Sequence, residues 1–161
     1  DQLSVLPYNR TVSDLNGYSN SEFIDKVKSL VTLKEVDDGD PAGAGETRMF
    51  LSGQWYSLNW DRIGDDPVNS LDVSILQDRL LGPVLGVNDP RTDNRIDFIG
   101  GIRGTQELVR RVEGGDASVA FSMYPVDVSQ LMSIADSGEI MPPKSTWFEP
   151  KLRSGLFIHT F

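Results

Sequence analysis

The stretch Arg48-Met49-Phe50-Leu51-Ser52-Gly53-Gln54-Trp55-Tyr56-Ser57-Leu58-Asn59-Trp60 decides the fold. Ser52-Gly53 is a two-residue turn signal between runs rich in apolar and aromatic side chains, which predicts a β-hairpin. Trp55, Leu58 and Trp60 do not alternate cleanly, so the register stays open. Upstream, Asp37–Glu46 is acidic, with glycines and a proline, and reads as a surface loop. Before it, Val31–Val36 reads as extended. Phe23, Ile24, Val27 and Leu30 form a helical stripe, with Ser19, Asn20 or Ser21 as the cap of a helix over Glu22–Leu30. Leu3–Leu6 is a short strand entering Pro7-Tyr8-Asn9.

Downstream, Asp61–Pro67 is a second loop. Ser70 is placed to cap a helix over Leu71–Leu81, stopped by Gly82-Pro83. Val84–Arg95 is irregular. Ile96–Ile99 reads as a buried strand, Thr105–Val112 as a helix closed by Gly114-Gly115, and Ala117–Met123 as a strand. Asp127 or Ser129 caps a helix running to Asp136 and stopped by Gly138. Met141–Glu149 is irregular, and Gly155–Thr160 is a closing strand. The pattern predicts one α+β domain over residues 1–161, a mixed β-sheet packed with about four helices in two layers.

Composition excludes several functions. With 39% hydrophobic residues the 161-residue chain can bury a core. No apolar run approaches the roughly 18–20 residues of a membrane span, and no signal peptide is evident. The absence of cysteine removes disulfides, thiolate catalysis and Cys-based zinc sites, and fits a reducing, cytoplasmic setting. The single histidine, His159, excludes multi-His metal sites; its alternating surroundings make it a strand residue. Net charge is −9, concentrated in residues 1–90, where 7 Lys+Arg face 15 Asp+Glu. That acidity disfavours nucleic-acid binding. The opening at Asp1, without an initiator Met, predicts that the chain continues a longer protein.

Four clusters could carry chemistry. Lys144, Ser145, Thr146, Lys151 and Arg153 combine cations and hydroxyls in a proline-stiffened segment; they can surround a phosphate or carboxylate, or simply be a rigid surface connection. Phe98–Thr105, with Gly100, Gly101 and Arg103, is a strand–glycine–helix transition that can aim N–H groups at an anion, or a tight structural turn. It is not a Walker A loop, because the Gly-Lys-Ser/Thr ending is missing. Asp89-Pro90-Arg91-Thr92-Asp93, with Arg95 and Asp97, offers carboxylates for Mg²⁺ or general-base work, or a salt-bridged loop. Tyr8-Asn9-Arg10, with Asp14 and Asn16-Gly17, is a pocket wall or a strand end followed by an Asx turn.

Six phrases in order carry a family resemblance: Leu6–Arg10 with Asp14–Gly17, Ser70–Gln77, Leu81-Gly82-Pro83, Asp89–Asp93, Arg95–Gly101 and, most distinctive, Met141–Leu156. Together they resemble domain of unknown function 1015, and the chain looks like its carboxy-terminal portion. The resemblance implies an absent amino-terminal half as partner, similar to sulfiredoxin and ParB-like folds and bearing an Asp-Gly-His-His-Arg type motif that this chain lacks. Through the related free-serine kinases and an association with serine metabolism, it implies phosphotransferase chemistry on a small anionic metabolite, with a nucleotide and Mg²⁺ as cofactors. The expected anion ligands are Lys144, Ser145, Thr146, Lys151, Arg153, Arg103, Gly100, Gly101, Arg91, Asn9 and Arg10. Asp97 or Asp72 would take a proton or metal. The competing expectation is a noncatalytic module that senses a metabolite or docks a protein.

Overall fold

The computed structural model describes residues 4–60 and 66–151. The hairpin forms around Ser52 and Gly53, both with positive φ (51° and 84°), which matches its turn to the twist of the strands. Its arms are β3 (Glu46–Leu51) and β4 (Gln54–Asn59), paired from Glu46 opposite Asn59 to Leu51 opposite Gln54. β2 (Thr32–Val36) adds on the far side of β4. On the other side β3 pairs with β6 (Val119–Met123), then come β1 (Ser4–Val12) and β5 (Ile96–Gly100), giving the order β2-β4-β3-β6-β1-β5. β7 (Thr146–Glu149) pairs with residues 4–7 of β1.

The α+β class and four α-helices follow the sequence reading: α1 (Asn20–Lys28), α2 (Asp72–Leu76), α3 (Gln106–Glu113) and α4 (Val128–Asp136). The strand directions refine it. Among the described residues every pairing is antiparallel, so the sheet described is not mixed. The β5–α3–β6 succession suggests parallel neighbours, and β5 and β6 do run the same way. But β1 lies between them, antiparallel to both. The two-layer expectation is also revised. Met49 and Leu51 of β3, with Val119, Phe121 and Met123 of β6, join a large core with Phe23 and Val27 of α1 and Leu76 of α2. The intervening Phe50 and Ala120 face the other way, against Leu108 of α3. Alternate side chains of a strand point to opposite faces, so both faces are covered and α3 makes a third layer.

α1 starts at Ser19 with a capping box to Glu22, and α4 at Asp127 with one to Gln130. Three elements depart from expectation. The helix over Leu71–Leu81 is capped at Leu71 rather than Ser70, and turns π-helical over Gln77–Leu81, where Gly82 N–H reaches the Gln77 carbonyl at 2.9 Å. β1 runs on through Pro7 to Val12, beyond the expected end at Leu6. Thr146–Glu149, expected irregular, pairs as β7. The closing strand at Gly155–Thr160, most of the Asp61–Pro67 loop and the opening of the chain lie outside the described residues.

Candidate anion site

β1 is the strand on which the polar sites converge. Its period of two sends Arg10 and Val12 to the large-core face, and Asn9 and Thr11 to the α3 face. Arg10 is only 4% exposed. Its guanidinium donates to the Tyr8 carbonyl at 2.7 Å and more weakly toward the Lys144 carbonyl at 3.4 Å. It lies 5.4 Å over the Phe98 ring. Burial pulls its pKa down to about 10, below the ordinary guanidinium value. Among the described residues no carboxylate pairs with it. A buried cation without an anion is costly and normally finds a partner.

Arg10 instead lines a cavity of about 420 Å³ between β1, α2 and two loops. Ser74 and Gln77 reach it from the helix, Asn88 and Arg91 from the loop before β5, and Pro142 with Pro143 from the segment before β7. The walls are held from behind. Ser74 donates to the Val68 carbonyl at 2.7 Å, and Gln77 to the Val87 carbonyl at 2.7 Å. The Asp89 carboxylate accepts from the Arg91 backbone N–H and guanidinium at 3.0 Å, which lowers its pKa and raises that of Arg91. Asp93 grips Arg95 in the same way; Arg95 also donates to Leu85 and Gly86 carbonyls and approaches Asp14.

The other residues singled out by sequence are dispersed around this cavity. Lys144 (φ 56°) has its Nζ 5.5 Å from the Tyr8 ring and lines an adjacent open groove with Arg91, Asp97 and Phe98. Ser145 Oγ donates to the Pro142 carbonyl at 2.6 Å, fixing the turn before β7, and Thr146 sits opposite Pro7. Lys151 Nζ lies 3.5 Å over the Trp147 ring. Arg153 lies outside the described residues. Gly100 and Gly101 allow close packing: a Cβ would stand 2.6 Å from the Trp147 ring at Gly100, and 2.8 Å from the Pro7 carbonyl at Gly101. Arg103 is exposed and approaches Glu107 at 4.0 Å. Asp97 pairs with Arg111 of α3 and accepts from the Phe98 N–H. Asp72 accepts from the Gly45 N–H at 2.9 Å, tethering the acidic loop. Asn9 faces away from Arg10, its Oδ1 accepting from Met123 N–H.

Thus Arg10, Arg91 and the Lys144 turn come together, whereas Asn9, Gly101 and Arg103 lie toward α3, and Asp72 belongs to a different loop contact. Sequence reasoning missed Ser74 and Gln77. Their spacing of three places both on one helical face, but the search for apolar periodicity passed over them.

Residues 1–74 match the family model described as protein of unknown function, DUF1015. No curated protein matches the sequence. Among solved structures, two free serine kinase variants in complex with AMP are similar, at 14% and 13% identity with TM-scores of 0.52 and 0.53. A conserved hypothetical protein from Pyrococcus furiosus is similar at 14% identity and TM-score 0.53. Each alignment covers 92% of this chain and 54% to 56% of the other, so the chain spans about half the length of the structures it matches. At such identities the likeness is one of fold. Among the described residues, no helix is long and apolar enough to cross a membrane, and no cluster of three metal-ligating side chains occurs.

Proposed function

We propose that this chain binds a small phosphorylated or carboxylated metabolite at Arg10, with Arg91 and Lys144 as outer cations. The observation that carries the reading is the buried Arg10 guanidinium, which opens onto a 420 Å³ cavity and forms no ion pair among the described residues; Asp78 and Asp89 also line that cavity, Asp89 being engaged by Arg91. An oxyanion bound there supplies the missing charge through a planar, charge-assisted pair. Arg91, held by Asp89, and Lys144, exposed on its turn, add attraction from the loop side.

The chemistry we favour is phosphoryl transfer, with a nucleotide and Mg²⁺ as cofactors, supported by the fold shared with the AMP-bound free serine kinase variants. In this reading Asp97, which shares the open groove with Arg91 and Lys144, is better placed than Asp72 to take a proton or a metal. The ion pair of Asp97 with Arg111 favours the second reading, a noncatalytic metabolite sensor in which that carboxylate is structural.

Thermal melting of the purified protein with serine, phosphoserine, phosphate, AMP, ADP, and ATP with Mg²⁺ tests the proposal. A ligand at about a hundred times its Kd stabilises by about 2.7 kcal/mol, which raises Tm by roughly 5–10 °C for a domain of this size. The expected shift is lost in Arg10→Met and reduced in Lys144→Ala. Turnover with serine and a nucleotide then separates the kinase from the sensor. No shift with any of these compounds removes the anion-site reading.

A further inference from the structure

A second cavity, of about 270 Å³, lies on the α3 face of the sheet, behind Arg10. Asn9 and Ser122 line it from β1 and β6, Gly101, Gly104 and Thr105 from the approach to α3, and Asp40 from the acidic loop. Asn9 and Ser122 are each 2% exposed. Asn9 Oδ1 accepts from the Met123 N–H at 3.0 Å, which fixes the amide so that Nδ2 is the end left over. That Nδ2 has no partner among the described residues, and neither has the Ser122 hydroxyl. Yet no buried polar side-chain atom closed off from solvent lacks a hydrogen bond. Both groups therefore open onto the cavity. Buried polar groups are almost always satisfied, so two without a partner facing one cavity call for an explanation.

The third wall has the same character. α3 is eight residues long, and Thr105, at its cap position, makes no side-chain capping bond. The first N–H groups of a helix have no intrahelical acceptor, and the helix dipole places partial positive charge there. Glu107, the acid of the first turn, does not cap them: its oxygens accept from Arg110 and Arg111 at 2.8–2.9 Å. Gly104, at φ 68°, reverses the chain just before the helix. An amide, a hydroxyl and Thr105 at the start of α3 thus line one small volume. The Asn9 amide and the helix start donate, and the Ser122 hydroxyl can also donate, so the complementary ligand presents acceptors.

We propose that this cavity is a second oxyanion site, binding a phosphate or carboxylate group on Asn9 Nδ2, Ser122 Oγ and the start of α3. It is independent of the Arg10 site, because the two cavities lie on opposite faces of β1 and share no lining residue. Asp40 is exposed and opposes a bare anion, so it selects a ligand that carries a hydroxyl or ammonium donor beside its acidic group.

The test is a titration of the labelled protein with inorganic phosphate, followed by amide NMR shifts against chloride at matched ionic strength. Saturable shifts are expected at Thr105, Gln106 and Ser122. Ser122→Ala, which removes one hydroxyl without changing the strand, weakens binding about tenfold, because a hydrogen bond to a charged group is being removed. Asp40→Asn strengthens it. Arg10→Met leaves it unchanged. Absence of shifts at these amides overturns the proposal, as does wild-type affinity in Ser122→Ala. If Arg10→Met abolishes the shifts, there is one site and not two, and the proposal falls while the Arg10 reading stands.

Discussion

Replacing Arg10 by methionine should leave the ligand-free protein as stable as before, or more so. Burial moves the guanidinium pKa from its ordinary value down to about 10, a drop of roughly two units. At about 1.4 kcal/mol per tenfold change, that disfavours the charged side chain by about 3 kcal/mol. In the opposite direction stand one good hydrogen bond, to the Tyr8 carbonyl at 2.7 Å, and a cation–π contact with Phe98 at 5.4 Å. A hydrogen bond from a charged donor contributes about 1.5–3 kcal/mol, and such a cation–π contact roughly 1 kcal/mol. The terms nearly cancel, and methionine adds apolar contact with the Phe98 ring. Substituting apolar residues for buried charges is often neutral, or stabilising by about 1–4 kcal/mol. Urea unfolding should show a midpoint that is unchanged or raised, with an unchanged m-value, while the response to anions disappears. A loss of more than about 2 kcal/mol, in a protein whose wild type binds no anion, would refute the argument: Arg10 would then be a structural clamp between β1 and the Lys144 turn.

Gly100→Ala should destabilise the fold by about 1–3 kcal/mol in the same assay, because the new Cβ meets the Trp147 ring at 2.6 Å. Gly43→Ala, with nothing within 4 Å, is the control and should change little. Ser19→Ala should cost about 0.5–2 kcal/mol by removing a capping box, read as a lower thermal midpoint. Acid should loosen α3 before the rest of the fold. Hydrogen bonds from Arg110 and Arg111 hold the Glu107 pKa down at about 2 from 4.5. A depressed carboxylate contributes its stabilisation fully above the unfolded value, and loses it as pH falls from about 4.5 toward 2. Acid titration by circular dichroism should therefore show a transition in that window, and Glu107→Gln should flatten it.

Much of the fold was legible in the sequence because local rules were strong. Ser52-Gly53 marked the hairpin, Ser19 and Asp127 marked helix starts, and the stripe of Phe23 and Val27 marked a buried face. What escaped was set by long-range pairing. β7 lacks a local signature and is ordered against β1. The third layer follows from β3 and β6 being buried on both faces, which removes the alternation that would announce it. The candidate site divides the same way. Arg10, Arg91 and Lys144 were visible as charged residues in compact motifs, but their convergence depends on β1 joining the β7 segment to the loop before β5. Ser122 was hidden inside an apolar strand, and it stands opposite Arg48, on the face of Asn9, only once the register is known.

The placement of β1 between β5 and β6 has a kinetic consequence. Its flanking partners are Ile96–Gly100 and Val119–Met123, so β1 has no neighbour on either of these edges until more than about eighty further residues have followed it. At about 5–20 residues per second on the ribosome, β1 waits roughly 5 s or longer. The β3–β4 hairpin, with its contacts close in sequence, can form during that wait. Such high contact order slows folding, and it leaves two unpaired strand edges open to other chains in the interval. Synthesis of this protein is thus most vulnerable to association between nascent chains just before Met123 emerges.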